Sequence, residues 1–271
     1  MATIKADMSD KLRGGGLRAD KMPGHWLLAR LGKRVLRPGG LAMTQALLAD
    51  LAIGSDDDVV ELAPGLGLTA RLILEKGPRS YTGIERDGDA AGWTARRLPA
   101  APQVSVRIGS AGDTGLGDDC ASVVLGEAML SMNPPEHKLR IMKEAHRVLR
   151  PGGRYAIHEL LIIPDEVAAE IKKDIEDTLS AAIHVGARPL TQSEWCACLE
   201  QARFAIEKIG YAPMHLLRPA RLIADEGLWR AIRFVKNVLT DADARRRVLL
   251  MRRTFHRYRM HLNAISIVAR K

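Results

Sequence analysis

A chain of 271 residues with 46% hydrophobic but only 4% aromatic residues can bury one sizeable core, built mainly of Leu, Ile, Val, Ala and Met. Its 41 Lys and Arg against 32 Asp and Glu leave a net charge of +9, which suits anionic partners but is also common in soluble enzymes. Three cysteines (Cys120, Cys196, Cys198) make no disulfide framework, no run approaches the ~20 apolar residues of a membrane helix, and the first residues lack a secretory pattern. The expected location is cytoplasmic.

Residues 1–22 are polar, with glycines at 14–16, and are expected to form a mobile segment ahead of one domain over 23–271. Leu27, Leu31 and Val35 share a helical face over 23–36, and Met43, Leu47 and Leu51 mark a second helix over about 41–53. Strand patterns follow at 58–62, 80–85, 103–109, 121–126 and 153–160, with helix-like stretches at 68–76 and 134–149 between them. At the start of the latter, Asn133 is expected as N-cap, Pro134 as the first helical residue and Glu136 as the partner closing a capping box. Beyond 160 the pattern is mainly helical (165–182, 191–202, 225–239, 242–260), with short strands at 205–210 and 263–271. VLRPGG occurs at 35–40 and at 148–153, but the flanks do not match; both copies fit helix exits and not a repeat. Strands and helices alternating at this spacing predict an α/β fold with a mostly parallel sheet.

The chemistry begins at 59-VVELAPGLGLTA-70. A strand ending in glycines and feeding a helix lets a cofactor approach the backbone closely. Alone, Gly65-Leu66-Gly67 with Ala70 also fits a plain turn or a nicotinamide site. Glu61 argues against the latter, because a pyrophosphate would not welcome a carboxylate that a cationic amino-acid tail tolerates. Glu85 ends the next strand in GIERD, where its carboxylate can accept from two ribose hydroxyls. The third strand closes with the turn-rich GSAGDTGLGDD, followed by the buried run SVVLG.

The set VVELAPGLG, GIERD, GSAGDTGLGDDCASVVLGEAMLSM and HRVLRPGGRYAIHEL resembles the class I S-adenosylmethionine-dependent methyltransferases. Within them it is most similar to the group containing the ubiquinone/menaquinone-biosynthesis and other small-molecule enzymes. The resemblance covers roughly 55–210, including LTQSEWCACLEQARF at 190–204. It implies a Rossmann-like, mostly parallel seven-stranded sheet with an antiparallel last strand at 263–270, helices on both faces, and S-adenosyl-L-methionine as cofactor. Glu61, Ala63, Gly65 and Gly67 would then line the methionine end, and Glu85 with Arg86 the ribose. Ser110 and Ala111 would sit beside adenine, and Gly126 and Glu127 below the sulfonium. Ala63 stands where the family usually has glycine, and Ser110 where it usually has aspartate. Residues 23–53, with His25 and Trp26, would form lid helices, and helical insertions at 161–189 and 215–262 a partial cap.

Methyl transfer needs alignment, plus a base only where the nucleophile must lose a proton. Glu127 and His158 end neighbouring strands and are the catalytic candidates; His184 is a weaker one. The tetrad 133-NPPE-136 lies about seven residues beyond its strand and lacks the aromatic that would stack on a base. Cys196 and Cys198 point to different helix faces, so no metal is expected. Within 245–261 seven arginines accompany an apolar stripe of Val248, Met251, Phe255, Tyr258 and, beyond it, Leu262. That helix either packs on the sheet with its arginines in water or meets an anionic membrane surface. The expected activity is methyl transfer to a small acceptor, lipophilic or aromatic; an RNA methyltransferase or a non-catalytic S-adenosylmethionine-binding protein are the alternatives.

Overall fold

The computed structural model describes residues 18–271. Within them the apolar runs form strands β1 (Asp58–Leu62), β2 (Ser80–Glu85), β3 (Val104–Ile108), β4 (Ala121–Glu127), β5 (Leu149–Ile162), β6 (Ala205–Pro213) and β7 (Leu262–Arg270). They make one seven-stranded sheet in the order β3-β2-β1-β4-β5-β7-β6. β1 to β5 run parallel, while β7 is antiparallel to both neighbours. The ten helices among the described residues are α1 (Gly24–Arg30), α2 (Gly40–Asp50), α3 (Leu68–Leu74), α4 (Gly88–Ala95), α5 (Pro135–Val148), α6 (Ala169–Ile183), α7 (Gln192–Gln201), α8 (Pro219–Glu226), α9 (Leu228–Thr240) and α10 (Ala242–Arg257).

Strand alternation sends successive side chains to opposite faces. Val60, Leu62 and Val124 pack with Met142, Ala145, Trp195 and Leu199 of α5 and α7. Val59, Val123 and Leu125 pack instead with Leu47, Leu48, Ala70 and Ile73 of α2 and α3. α1, α9 and α10 bury a separate cluster around Leu27, Phe234 and Met251, and α6 adds another around Leu179. Of these helices, α1, α6 and α10 contribute residues to the walls of the cavities at the strand tips. Strand order reverses between β1 and β4, so the crevice outside their carboxyl ends is where an open parallel sheet takes a ligand.

Several local expectations are corrected. α1 ends at Arg30 instead of 36, so the first VLRPGG is no helix exit; it leads into α2, as its flank implies, with Gly39 at φ 73° as N-cap. α5 starts at Pro135 with Pro134 as N-cap and no side-chain cap, because the Asn133 amide donates to the Met129 carbonyl at 2.8 Å. The single helix expected over 225–239 is two, broken at Gly227 with φ 78°. Of the segment expected to be mobile, residues 1–17 lie outside the described residues. Ala19 and Met22 are buried, and the Arg247 guanidinium donates to the carbonyls of Ala19, Asp20 and Met22 at 2.9, 3.2 and 3.2 Å.

Between α1 and α2 the backbone crosses the crevice and is clasped from α8. Glu226 accepts from the amides of Arg34 and Val35 at 2.7 and 2.9 Å, and Asp225 accepts from Leu41 at 3.0 Å. The fully buried Lys33 ammonium lies 3.7 Å from both carboxylates. Burial pulls its pKa down, against the two acids that raise it. Removing the cation leaves two buried carboxylates facing each other. Lys33→Ala should therefore lower stability by about 3 kcal/mol in urea unfolding, and Lys33→Met, which keeps the volume but not the charge, should not rescue it.

Candidate active site

The loop after β1 is shaped by left-handed backbone. Ala63, Gly65 and Gly67 have φ of 55°, 56° and 72°. A non-glycine residue at that φ costs about 1 kcal/mol, so Ala63 holds a strained turn where glycine would be relaxed. A Cβ on Gly67 would meet Thr94 Cγ2 at 2.8 Å, while the Thr94 hydroxyl donates to the Gly65 carbonyl at 2.7 Å. Gly67 thus serves close packing of α3 against α4.

Three carboxylates converge at the strand tips in three different environments. Glu85 accepts from the amides of Gly65 and Asp87, both at 3.1 Å, which fixes it across the mouth of the loop. Glu61 is buried and accepts one bond, from the Tyr81 hydroxyl at 2.7 Å. Burial raises its pKa to about 8; the Tyr81 bond opposes this and the nearby Glu127 charge adds to it. Glu127 accepts from Thr44 Oγ1 at 2.6 Å, Arg37 Nη1 at 2.8 Å, Thr69 Oγ1 and His158 Nδ1. Burial alone would raise its pKa, but Arg37 and these donors hold it at about 2.

A cavity of about 460 Å³ opens above these groups. Of the expected site residues, Glu61, Ala63, Gly65, Glu85, Arg86, Ser110, Ala111 and Glu127 line it. Gly67 and Gly126 stand behind the lining. Ser110 is exposed, and its hydroxyl accepts from the Gly112 amide at 3.3 Å. His158 also lies outside the cavity wall. It is fully buried, with Nδ1 on Glu127 and Nε2 on the Pro38 carbonyl. Both ring nitrogens are therefore engaged within the protein. Its neighbour Glu159 caps the turn at 130–132, accepting from the amides of Met129, Leu130 and Ser131. His184 closes α6 in left-handed conformation and does not reach the cavity, although Val185 does.

The expected lid residues His25 and Trp26 line the cavity. Sequence reasoning missed Arg37, Thr44, Thr69, Asn133, His137 and Arg140. Arg37 sits inside the first VLRPGG, and its charge just before the Pro38-Gly39-Gly40 turn was the available signal. A second, apolar lobe of about 70 Å³ shares His25, Leu36, Ala128 and Met132 with the main cavity. Leu160, Leu179, Met214, Leu216, Met251 and Phe255 are among the other residues of its wall.

Residues 59–153 match the model of a methyltransferase-domain family. Over those residues the chain carries a methyltransferase domain. An uncharacterised protein of Haemophilus influenzae is 29% identical over 251 residues, covering 92% of this chain and 98% of that one. Among solved structures, phosphoethanolamine N-methyltransferase 2 of Haemonchus contortus, in complex with S-adenosyl-L-methionine, superposes with a TM-score of 0.70 at 14% identity. That match covers 92% of this chain and 56% of the other. Geranyl diphosphate C-methyltransferase of Streptomyces coelicolor superposes with a TM-score of 0.58 at 16% identity, over 84% of this chain and 78% of that one. These structural likenesses concern the fold of the methyltransferase. No helix among the described residues is long and apolar enough to cross a membrane.

The raised pKa of Glu61 has a stability consequence in the ligand-free methyltransferase. Its folded value of about 8 exceeds the ordinary 4.5, so the stability present below about pH 4.5 falls as pH rises towards 8. Glu61→Gln removes that slope. In denaturant unfolding the variant should gain little over the parent at pH 5 and a few kcal/mol at pH 8; an equal difference at both pH values would contradict the assignment.

Proposed function

We propose that the methyltransferase moves a methyl group from S-adenosylmethionine to a small lipophilic or aromatic acceptor held in the apolar lobe. The cofactor supplies a methyl group already activated on a sulfonium. The residues that would hold it fit its polarity. Glu85, fixed by two amides, keeps lone pairs for the ribose hydroxyls. Glu61 offers a carboxyl that ionises when a cationic amino group arrives. Arg37 lines the cavity and, beyond its bond to Glu127, has Nε and Nη2 buried without a protein acceptor, a donor pair suited to a carboxylate. Ser110 and Ala111 would flank adenine, with Arg86 at the ribose edge.

The observation that carries the acceptor class is the apolar lobe beyond Ala128. Its lining is nearly all aliphatic, thioether or aromatic carbon, and its small volume suits a ring or a short branched chain. Apart from His25, which both cavities share, the titratable group at its wall is Glu159, and that carboxylate is consumed by the turn it caps. His158 and Glu127 are bonded to each other and hold neighbouring strand tips together, so this reading gives neither a proton-transfer step. The acceptor atom is one that is nucleophilic as bound, and the chain contributes alignment and exclusion of water.

Titration with S-adenosylhomocysteine in a calorimeter tests the cofactor half. One site is expected, with no binding of NAD⁺, and Glu85→Ala should weaken affinity ten- to a hundredfold, as loss of hydrogen bonds to a charged group does, about 1.5–3 kcal/mol. Binding below pH 8 should release protons as Glu61 ionises, visible as heats that depend on the buffer's ionisation enthalpy. For the acceptor half, Leu216→Trp partly fills the lobe. It should leave S-adenosylhomocysteine affinity within about twofold while abolishing transfer of labelled methyl into solvent-extractable product from a small-molecule extract. Undiminished transfer would move the acceptor elsewhere.

A further inference from the structure

Five of the twelve large hydrophobic side chains exposed among the described residues belong to one helix, α9. At 3.6 residues per turn, Leu228, Ile232, Val235 and Leu239 form a single stripe, about 17 Å long. They are 55%, 50%, 47% and 59% exposed. The buried stripe of Ala231, Phe234 and Val238 lies beside it and packs on α1 and α10. On its other side, away from the core, the exposed stripe is bordered by Trp229, Arg233 and Lys236, all in solvent. Trp229 is 82% exposed. Ile223, within α8, is another exposed apolar group. The helix sequence LWRAIRFVKNVLT contains no acid.

The helix expected to meet a membrane surface, 245–261, is built differently. In α10, Val248 and Met251 face the core, and Arg247 is buried against backbone carbonyls. Its exposed side holds Arg245, Arg246, Arg252 and Arg253 with Leu249 and Leu250. It offers charge with little apolar surface; α9 offers both.

We propose that α9 is a peripheral docking face for an anionic lipid surface. A helix lying in the interface needs an apolar stripe to enter the acyl boundary, and cations beside it whose stems stay apolar while their charged ends meet the headgroups. α9 has that anatomy, and the arginines of the adjoining α10 extend the same sign of charge. A complementary protein face would leave Arg233 and Lys236 unmatched unless it supplied acids; an anionic bilayer supplies them wherever the helix lands. The proposal stands apart from the acceptor assignment, since it uses no residue of the cavity.

Sedimentation with vesicles of phosphatidylcholine, with and without phosphatidylglycerol, tests it. Trp26, Trp93 and Trp195 are buried, so acrylamide quenching and a blue shift report chiefly on Trp229. Expected are co-sedimentation with the phosphatidylglycerol vesicles, protection of Trp229 there, and loss of both at high salt. Arg233→Glu with Lys236→Glu, and separately Ile232→Ser with Val235→Ser, should each lower the partition coefficient about tenfold or more without shifting the thermal unfolding midpoint. Three results would overturn it: equal binding to uncharged vesicles or none to either, protection of Trp229 in dilute lipid-free protein, or a dimer in sedimentation velocity that Ile232→Ser with Val235→Ser dissociates.

Discussion

The carboxylate of Glu127 is the point on which the crevice depends. An ionised carboxylate at the buried end of a central strand would be prohibitively costly unless fully paired. Here its partners come from four separate stretches: Arg37 from the segment before α2, Thr44 from α2, Thr69 from α3 and His158 from β5. Satisfying one charge therefore fixes where the crossing segment, two helices and the neighbouring strand stand around the cavity. His158 extends the tie by donating to the Pro38 carbonyl, so the segment that closes the crevice is held at two adjacent residues.

The same cavity keeps a second carboxylate in the opposite condition. Glu61 and Glu127 end neighbouring parallel strands, yet one is pushed up to about 8 and the other held at about 2. The difference is in donors: Glu61 has a single phenol, Glu127 a guanidinium, two hydroxyls and an imidazole. One group keeps most of its acceptor capacity free, and the other spends it within the protein. Environment, not residue type, assigns the two roles.

Where the determinants were local, they were legible. The strands, the glycine loop at 63–67 and the acid at each of two strand tips follow from short stretches whose pattern and chemistry agree. What failed was non-local. That both ring nitrogens of His158 are engaged inside the protein depends on Pro38, some 120 residues earlier. Arg37 reads as a charged residue in a turn until Glu127 is beside it. The break between α8 and α9 hinges on Gly227, and a glycine within an apolar helical pattern does not announce whether it bends or ends the helix. Asn133 failed as an N-cap for a smaller reason: its amide found a carbonyl in the preceding turn.

Strain and unmet polarity are not spread evenly over the molecule. Seven buried side-chain atoms among the described residues find no protein hydrogen-bond partner: Lys33 Nζ, Arg37 Nε and Nη2, Tyr155 Oη, Asp225 Oδ2, Arg230 Nε and Arg247 Nε. Five of these belong to the crossing segment and to the α8–α9 stretch that clasps it, and none to β1, β2 or β4. Ala63, in its left-handed turn, and Glu61, with one donor, add to the same region. Of the seven atoms, Arg37 Nε and Nη2 belong to a residue that lines the cavity. The order of the parallel strands thus sets where the strand tips stand, and the segment crossing them carries the unpartnered guanidinium nitrogens.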